Sequence, residues 1–378
     1  MVLRTEKVRL YPNAEMRQVL DELCDYRRYC WNLGLETWND MYAESVILAN
    51  KKLRPNERKV RNELVANKDD WQYQLSARCL QLAISDLGKA WKNFFDKAMP
   101  DWGKPKFKSR KAPRQGFKTD RAKIINGKLR LDKPRATKHV WSDIKIRGAK
   151  SLSGDLKVVS IYREHGQYYA SLPFETKVTI KLKTNAKTAV DVNVGHFNYT
   201  DGIINTLPKS LVKHYQRIKH YQKMLSKKVK DSNNYVKTRT KLQREYAKVT
   251  NIQHDLIQKF TTMLVIRYDQ IVIEDLNVKQ MQMSHVASKG LQRSLFGYFR
   301  QVLTYKCEWY GKELILADRF YPSTQRCSQC GFVKTKTDKI TLMGNAKHGT
   351  KHNEYVCYNC GLHMDRDQNA VQNLLALI

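Results

Sequence analysis

The sequence contains no apolar run long enough to span a bilayer, and its first seven residues are too charged for a secretory signal peptide. Acidic residues are also scarce: 36 Asp and Glu stand against 69 Lys and Arg, which gives a formal net charge of +33. Such an excess predicts a polyanionic partner. Because no segment favours a membrane, we expect nucleic acid as the partner and the cytosol as the compartment.

The length of the chain and its apolar content predict several folded domains. A chain of 378 residues is too long for one compact core, so two to four domains are expected. An apolar content of 42% is enough for packed cores and excludes a disordered basic tail. No internal repeat is visible beyond a doubled Cys-x-x-Cys motif.

The apolar pattern changes its period along the chain. Residues 7–12 alternate as a strand, residues 14–100 are mostly helical, and residues 127–172 return to a period of two, with a hairpin turn at His165-Gly166. This order predicts a small β-barrel or sheet with a helical insertion. Further on, a basic helical hairpin between two apolar strands predicts an α/β domain. Residues 281–290 are weakly patterned and predicted to be mobile.

The doubled Cys-x-x-Cys motif predicts a metal site. Four thiolates at this spacing can close a tetrahedral shell around zinc, and the glycine after each motif permits its tight turn. The gap between the motifs exceeds the usual zinc-ribbon loop, but it is hydrophilic and can loop out. Two unrelated cysteine pairs are the alternative, which so specific a motif disfavours. The predicted ligands of one structural Zn²⁺ are Cys327, Cys330, Cys357 and Cys360.

Three acids stand where an apolar element begins or ends: Asp191, Glu274 and Asp367. An acid inside an apolar strand is costly unless it binds a metal or another partner. Three of them in a very basic chain predict a site for two divalent cations, which would activate water and stabilise the leaving oxygen of a phosphodiester. Asp275 and Asp365 are neighbouring alternatives, and Asp275 is expected on the opposite face of its strand from Glu274.

Two basic segments are candidate nucleic-acid contacts. Residues 103–114 are rich in Pro, Gly, Lys and Arg, so they exclude a regular helix and offer phosphate contacts, with an aromatic ring placed to stack. The polar face of a helix near residue 80 could lie on a duplex. In both cases a solvated surface is the alternative. The candidate contacts are Arg78, Gln81, Lys106, Phe107, Lys108 and Arg110.

Six short motifs occur in a characteristic order over nearly the whole chain. They are Lys7-Val-Arg-Leu-Tyr-Pro, Gly103-Lys-Pro-Lys-Phe-Lys-Ser-Arg, Ala189-Val-Asp-Val, Ile273-Glu-Asp-Leu-Asn, Tyr321-Pro-Ser-Thr-Gln-Arg-Cys-Ser-Gln-Cys-Gly and Asp365-Arg-Asp-Gln-Asn-Ala. Together they resemble the TnpB family of transposon-encoded, RNA-guided nucleases, which are related to the type V CRISPR effectors. The last three motifs carry most of the specificity.

The resemblance implies a multidomain α+β fold. Its parts would be a wedge-like β-barrel (1–13 and 105–185), a helical recognition domain (14–104), a RuvC-like α/β nuclease domain of the RNase H type (186–319 and 364–378) and an inserted zinc ribbon (320–363). Asp191, Glu274 and Asp367 match the catalytic acids of the family, which would hold two Mg²⁺ ions. The implied location is the prokaryotic cytoplasm, in association with the nucleoid.

The resemblance also implies the partners. A guide RNA from the transposon end would pair with double-stranded target DNA, and the protein would read a short motif beside the target. The helix that carries Arg78 and Gln81 matches the segment that reads this motif. Asn193 departs from the family, which usually has glycine there, and its side chain could crowd the nucleic acid. Two alternatives therefore stay open: a guided repressor that does not cut, and an unguided zinc-ribbon transposase.

Overall fold

The computed structural model describes residues 1–98, 102–148, 154–178, 182–277, 295–341 and 343–378. The chain forms two compact units, Met1–Lys177 and Val178–Ile378. Residues 281–290, predicted to be mobile, lie outside the described residues. Within the described ranges, no helix combines the length and the apolar content needed to cross a membrane.

The first unit contains an antiparallel sheet of eight strands. These are β1 (Val2–Tyr11), β2 (Arg114–Thr119), β3 (Lys123–Ile125), β4 (Lys128–Arg130), β5 (Ile144–Arg147), β6 (Asp155–Leu156), β7 (Val159–Glu164) and β8 (Gln167–Thr176). The strand order is β2-β7-β8-β1-β5-β4-β3, with β6 on β8. Among the described residues β2 and β3 end this path, so the part of the predicted barrel that the structure shows is a curled half-barrel. The turn at His165-Gly166 is confirmed, with positive φ at both residues.

The predicted helical insertion lies between β1 and β2. It comprises α1 (Ala14–Ile47), α2 (Glu57–Ala66) and α3 (Ala77–Phe95), with short 3₁₀ turns at Lys51–Leu53 and Asp70–Gln74. Asn13 begins α1 as its cap, because its side chain accepts the amide hydrogen of Met16 at 2.9 Å. The helices α1 and α3 approach closely at Gly34, where a Cβ atom would lie 2.3 Å from Ile84 Cδ1. Their apolar faces share one core with the sheet.

The second unit is built on a mixed sheet of five strands. These are β9 (Lys187–Val192), β10 (His196–Tyr199), β11 (Gly202–Asn205), β12 (Gln270–Glu274) and β13 (Glu313–Ala317), in the order β11-β10-β9-β12-β13. β12 runs parallel to both β9 and β13. The α-helices in the described part of this unit are α4 (Lys209–Ser226), α5 (Asn233–Arg267), α6 (Phe296–Tyr310) and α7 (Arg366–Leu375). A short ribbon of β14 (Glu354–Val356) and β15 (His363–Asp365) precedes α7.

The two faces of this sheet carry different helices. Val190 and Ile273 pack with α5 and α6 on one face. Ala189 and Val272 pack with Val371 of α7 on the other. Successive side chains of a strand point to opposite faces, so residues 191 and 274 lie on the same face as 189 and 272. That is the face covered by α7.

Candidate functional site

The three predicted acids converge at the end of the sheet where α7 begins. Asp191 lies in β9, Glu274 ends the adjacent parallel strand β12, and Asp367 is in the first turn of α7. Strand alternation directs the first two towards α7. We call Asp191, Glu274 and Asp367 the carboxylate cluster.

The electrostatics of the carboxylate cluster favour a bound cation. Burial, followed by the charges of Glu274 and Asp367, raises the pKa of Asp191 to about 8. Burial and the charge of Asp367 also raise the pKa of Glu274, against a hydrogen bond from Ser323. Mutual repulsion of this kind is relieved by a divalent cation, and carboxylate oxygens are the ligands that Mg²⁺ prefers. The donor set therefore fits Mg²⁺.

Two members of the cluster accept a hydrogen bond from a polar neighbour. Asn193 Nδ2 donates to Asp191 Oδ2 at 2.7 Å. Ser323 Oγ donates to Glu274 Oε1 at 2.6 Å. The side chain of Asn193, predicted as a possible obstacle to nucleic acid, is thus turned towards the carboxylate.

Asp367 is held by two basic side chains. His196 Nε2 lies 3.1 Å from its Oδ2 atom, and the guanidinium of Arg366 lies 2.9 Å from its Oδ1 atom. Within the described ranges, only four cysteines offer ligand atoms that all lie within 4.8 Å of one another, so the three acids do not meet that spacing. The carboxylates are therefore neighbours that must shift to share an ion.

The alternative acids have other tasks. Asp275 forms ion pairs with Arg300 and with Arg319, the latter at 2.7 Å, and these pairs lower its pKa. Asp365 caps α7, since its Oδ1 atom accepts the amide hydrogens of Asp367 at 2.9 Å and of Gln368 at 3.1 Å. Both carboxylates are thus engaged by groups outside the carboxylate cluster or by the backbone of α7.

The four predicted zinc ligands lie together, and we call them the cysteine cluster. Their sulfur atoms all lie within 4.8 Å of one another, with 3.6 Å between Cys327 and Cys360 and between Cys330 and Cys357. Tetrahedral bonds of about 2.3 Å to zinc place sulfur atoms about 3.8 Å apart, so the spacing fits. Gly331 and Gly361 each have a φ of +76°, as the tight turns require.

The long gap between the cysteine pairs is an ordered insertion with its own contacts. Asn345 is buried and donates to the carbonyls of Thr337 and Lys339. Lys334 is fully buried beside the cysteine cluster, with its ammonium over the rings of Tyr355 (4.6 Å) and Tyr358 (4.0 Å). Burial lowers the pKa of Lys334, and an ammonium here would offset the negative charge that four cysteines carry when they bind zinc.

Arg78 and Gln81 lie on α3 in contact with each other. The Arg78 guanidinium forms a forked ion pair with Asp120, with 2.6 Å between Nε and Oδ1, and it also donates to Gln81 Oε1. This hydrogen bond to Asp120 raises the pKa of Arg78. Arg78 is thus occupied within the protein, and it orients the Gln81 amide.

The basic segment that begins at Gly103 is anchored on α1. Trp31 Nε1 donates to the Lys106 carbonyl at 3.0 Å, while Asn32 exchanges two hydrogen bonds with the backbone of Lys108. The Lys108 ammonium lies 3.7 Å from the centre of the Trp31 ring. Phe107 is 61% exposed, and Lys106 is also exposed, as is Arg110. Lys108 is exposed as well, but its ammonium lies over the Trp31 ring, whereas the other three side chains stay candidates for phosphate or base contacts.

Sequence reasoning missed the residues that support these sites. His196 and Ser323 each contact one acid, and Asn369 and Asn373 of α7 are buried against the segment before the first cysteine pair. One signal was available: Asn369 and Asn373 are spaced by one helical turn, so they share a face.

Comparison with known proteins identifies the family. Over 386 aligned residues, the chain is 30% identical to a Streptomyces pristinaespiralis protein named "Putative RNA-guided DNA endonuclease", covering 99% of this chain and 89% of the relative. The chain belongs to the TnpB family. A second TnpB relative, "Putative RNA-guided DNA endonuclease InsQ" from Escherichia coli K12, is 29% identical over 82% of this chain and 77% of its own length.

Three family models match parts of this TnpB-family chain. They are described as "Helix-turn-helix domain" (residues 1–45), "Probable transposase" (171–285) and "Cas12f1-like, TNB domain" (296–374). The first description does not fit the fold, because residues 1–45 form β1 and most of the single helix α1. A cryo-EM structure of a Cas12f1–sgRNA–target DNA complex has a similar fold, with a TM-score of 0.52, 12% identity and coverage of 99% of this chain and 98% of the other.

Proposed function

We propose that this protein is an RNA-guided, Mg²⁺-dependent endonuclease that cuts double-stranded DNA. The observation that carries the proposal is the arrangement of the carboxylate cluster on one face of the five-stranded sheet, in a chain of the TnpB family. Asp191, Glu274 and Asp367 would hold two Mg²⁺ ions. When bound, such ions activate water and stabilise the leaving oxygen of a phosphodiester.

The domain assignment is part of the proposal. Residues 186–319 with 364–378 would form a RuvC-like nuclease domain, and residues 320–363 a zinc ribbon with one structural Zn²⁺ in the cysteine cluster. Residues 1–13 with 105–185 would be the wedge domain and 14–104 the recognition domain. The guide RNA would come from the transposon end, and Gln81, oriented by Arg78, would contact the motif beside the target.

The decisive experiment incubates the purified ribonucleoprotein with a matched target. Both strands should be cut when Mg²⁺ is present and neither when it is chelated. A mismatched target of the same length is the control. Intact matched DNA, with binding confirmed by gel shift, would contradict the proposal.

The repressor alternative draws on Asn193, and Asn193→Gly tests it. Because the Asn193 amide donates to Asp191, we expect the variant to cut about 10- to 100-fold more slowly than the parent, the usual range when a group that supports a metal ligand is lost. If the parent cut no DNA and Asn193→Gly did, the result would favour the guided repressor. Cleavage assays on matched DNA give the comparison.

The transposase alternative has the description of one family model in its favour, "Probable transposase". An unguided protein would copurify with no discrete RNA. Sequencing of the RNA bound to the purified chain therefore separates this alternative from the two guided ones.

The anchored basic segment gives a prediction for RNA binding. Lys106→Ala with Arg110→Ala should lower the slope of log affinity against log salt by roughly 1.4, since each phosphate contact contributes about 0.7 on a single strand. Lys108→Ala is the matched control. Because the Lys108 ammonium lies on Trp31, the variant should keep the salt slope of the parent, and its melting temperature should fall through the loss of that contact. Filter-binding titrations at several salt concentrations measure both. If Lys108→Ala lowered the salt slope as much per residue, the distinction between Lys106 and Arg110 as phosphate contacts and Lys108 as a contact of Trp31 would be contradicted.

A further inference from the structure

Two asparagines on the buried face of α7 hold the segment that leads into the first cysteine pair. Asn369 is fully buried and Asn373 is 2% exposed. The side-chain amides of both donate to the Arg326 carbonyl at 2.7 Å, and Asn373 also donates to the Ser323 carbonyl at 2.8 Å. We call these contacts the asparagine clamp. They fix residues 323–326 against the helix that carries Asp367.

The clamped segment reaches both candidate metal sites. On one side, Asn369 Oδ1 accepts the backbone amide hydrogen of Ser328, which lies between Cys327 and Cys330, at 3.0 Å. On the other side, the buried hydroxyl of Ser323 donates to Glu274 at 2.6 Å. A continuous path of short hydrogen bonds therefore runs from the cysteine cluster through α7 to the carboxylate cluster.

We infer that Ser323 is a positioning residue for Glu274 and that the asparagine clamp makes its position depend on the cysteine cluster. The inference rests on the proposed function for the role of Glu274. A hydroxyl that donates to a carboxylate favours the ionised form and restricts its rotation. Asn373 holds the backbone carbonyl of Ser323, so the Cα and Cβ atoms of Ser323 stay beside Glu274 and the hydroxyl needs only one side-chain rotamer to reach it.

The path predicts an unequal response of the two sites. Ser323→Ala removes only the hydrogen bond to Glu274, so metal binding at the carboxylate cluster should weaken about 10-fold, as is usual when a group that supports a metal ligand is lost. The rate of zinc loss should not change. Asn369→Ala removes the bond to Ser328 and one of the two on Arg326, so it should weaken metal binding and also accelerate zinc loss.

The test uses the full-length chain and two readouts other than cleavage. Mn²⁺ binding is followed by electron paramagnetic resonance of the free ion, with binding to Asp191→Ala protein subtracted as background. Zinc loss is followed with a chromogenic chelator. Ser323→Thr, which keeps the hydroxyl, should restore Mn²⁺ binding. Ser226→Ala is the matched control, because Ser226 is an exposed serine whose hydroxyl donates to the Lys223 carbonyl of its own helix.

The outcomes separate this inference from the proposed function. Parental Mn²⁺ affinity in Ser323→Ala, or failure of Ser323→Thr to restore it, overturns the positioning role. An unchanged rate of zinc loss in Asn369→Ala overturns the connection between the cysteine cluster and the position of Ser323. If the unaltered chain binds Mn²⁺ but its ribonucleoprotein cuts no DNA, the proposed function fails, and the Mn²⁺ comparison still decides the inference.

Discussion

Asp191→Ala should reduce cleavage of a matched target at least 10³-fold, a loss typical of removing a group on which catalysis depends, while the ribonucleoprotein binds the target as before. The reason is geometric. Asp191 is 6% exposed at the centre of the carboxylate cluster, and burial together with two neighbouring acids raises its pKa. Removing it takes away a proposed metal ligand and leaves the basic surfaces for nucleic acid unchanged.

The same substitution should not destabilise the fold. A buried carboxylate repelled by two neighbours costs stability, so Asp191→Ala should melt at or above the parental temperature. Mg²⁺ should raise the melting temperature of the parent and have little effect on the variant, since a ligand stabilises only the state that binds it. Differential scanning fluorimetry measures both effects.

Asp275→Asn is the matched control for this prediction. Asp275 is also an acid at the end of β12, but it pairs with Arg300 and Arg319. The variant should cut DNA within about 10-fold of the parent, because it loses only partly exposed ion pairs. If Asp275→Asn cut no DNA and Asp191→Ala cut it as the parent does, the assignment of the acids would be wrong.

A double variant with Cys327→Ser and Cys357→Ser should bind no zinc, and its cleavage rate should fall at least 100-fold. The reason is that metal binding and folding are coupled in small zinc sites. The buried hydrophobic cluster of this region is small: Cys327, Ile340, Tyr355 and Cys357. Two of these four are themselves proposed zinc ligands, so the apolar core alone is too small to hold the region. Its collapse would release β15 and the start of α7, where Asp367 lies.

Cys307→Ser is the matched control for zinc. Cys307 is also buried, but it packs with α5 and the five-stranded sheet. The variant should lose some thermal stability and keep one zinc per chain by atomic emission analysis. A Cys327→Ser, Cys357→Ser double variant that retained zinc and parental cleavage would contradict a structural metal.

The sequence predicts elements more fully than the contacts between them. Asp191 and Glu274 were identifiable because an acid in an apolar strand is costly, and strand alternation is enough to place them on one face. The Cys-x-x-Cys spacing likewise predicts the cysteine cluster. The half-barrel form of the first sheet was not predictable, because apolar and polar residues alternate along the strands in the same way in a closed barrel and in a half-barrel.

Contacts between distant residues account for the rest. Ser323 and Glu274 meet only because Asn373 holds the segment, and nothing local to residue 323 indicates a carboxylate nearby. Lys108 similarly belongs to a basic segment that predicts phosphate contacts, yet its ammonium lies over the ring of Trp31, which is far away in sequence. Asp365 and Asp367 were separable only in part, until the hydrogen bonds of Asp365 identified it as a helix cap.

The three acids come from widely separated parts of the polypeptide, and this has a consequence for synthesis in the cell. β9 and β12 can pair while the ribosome is still translating, but the third carboxylate arrives only after residue 367 has emerged and α7 has docked. A nascent or prematurely terminated product would carry most of the positive surface and still be unable to cut. Under the proposed function, hydrolytic capacity would thus appear late, when most of the basic residues that could bind a guide RNA have already emerged.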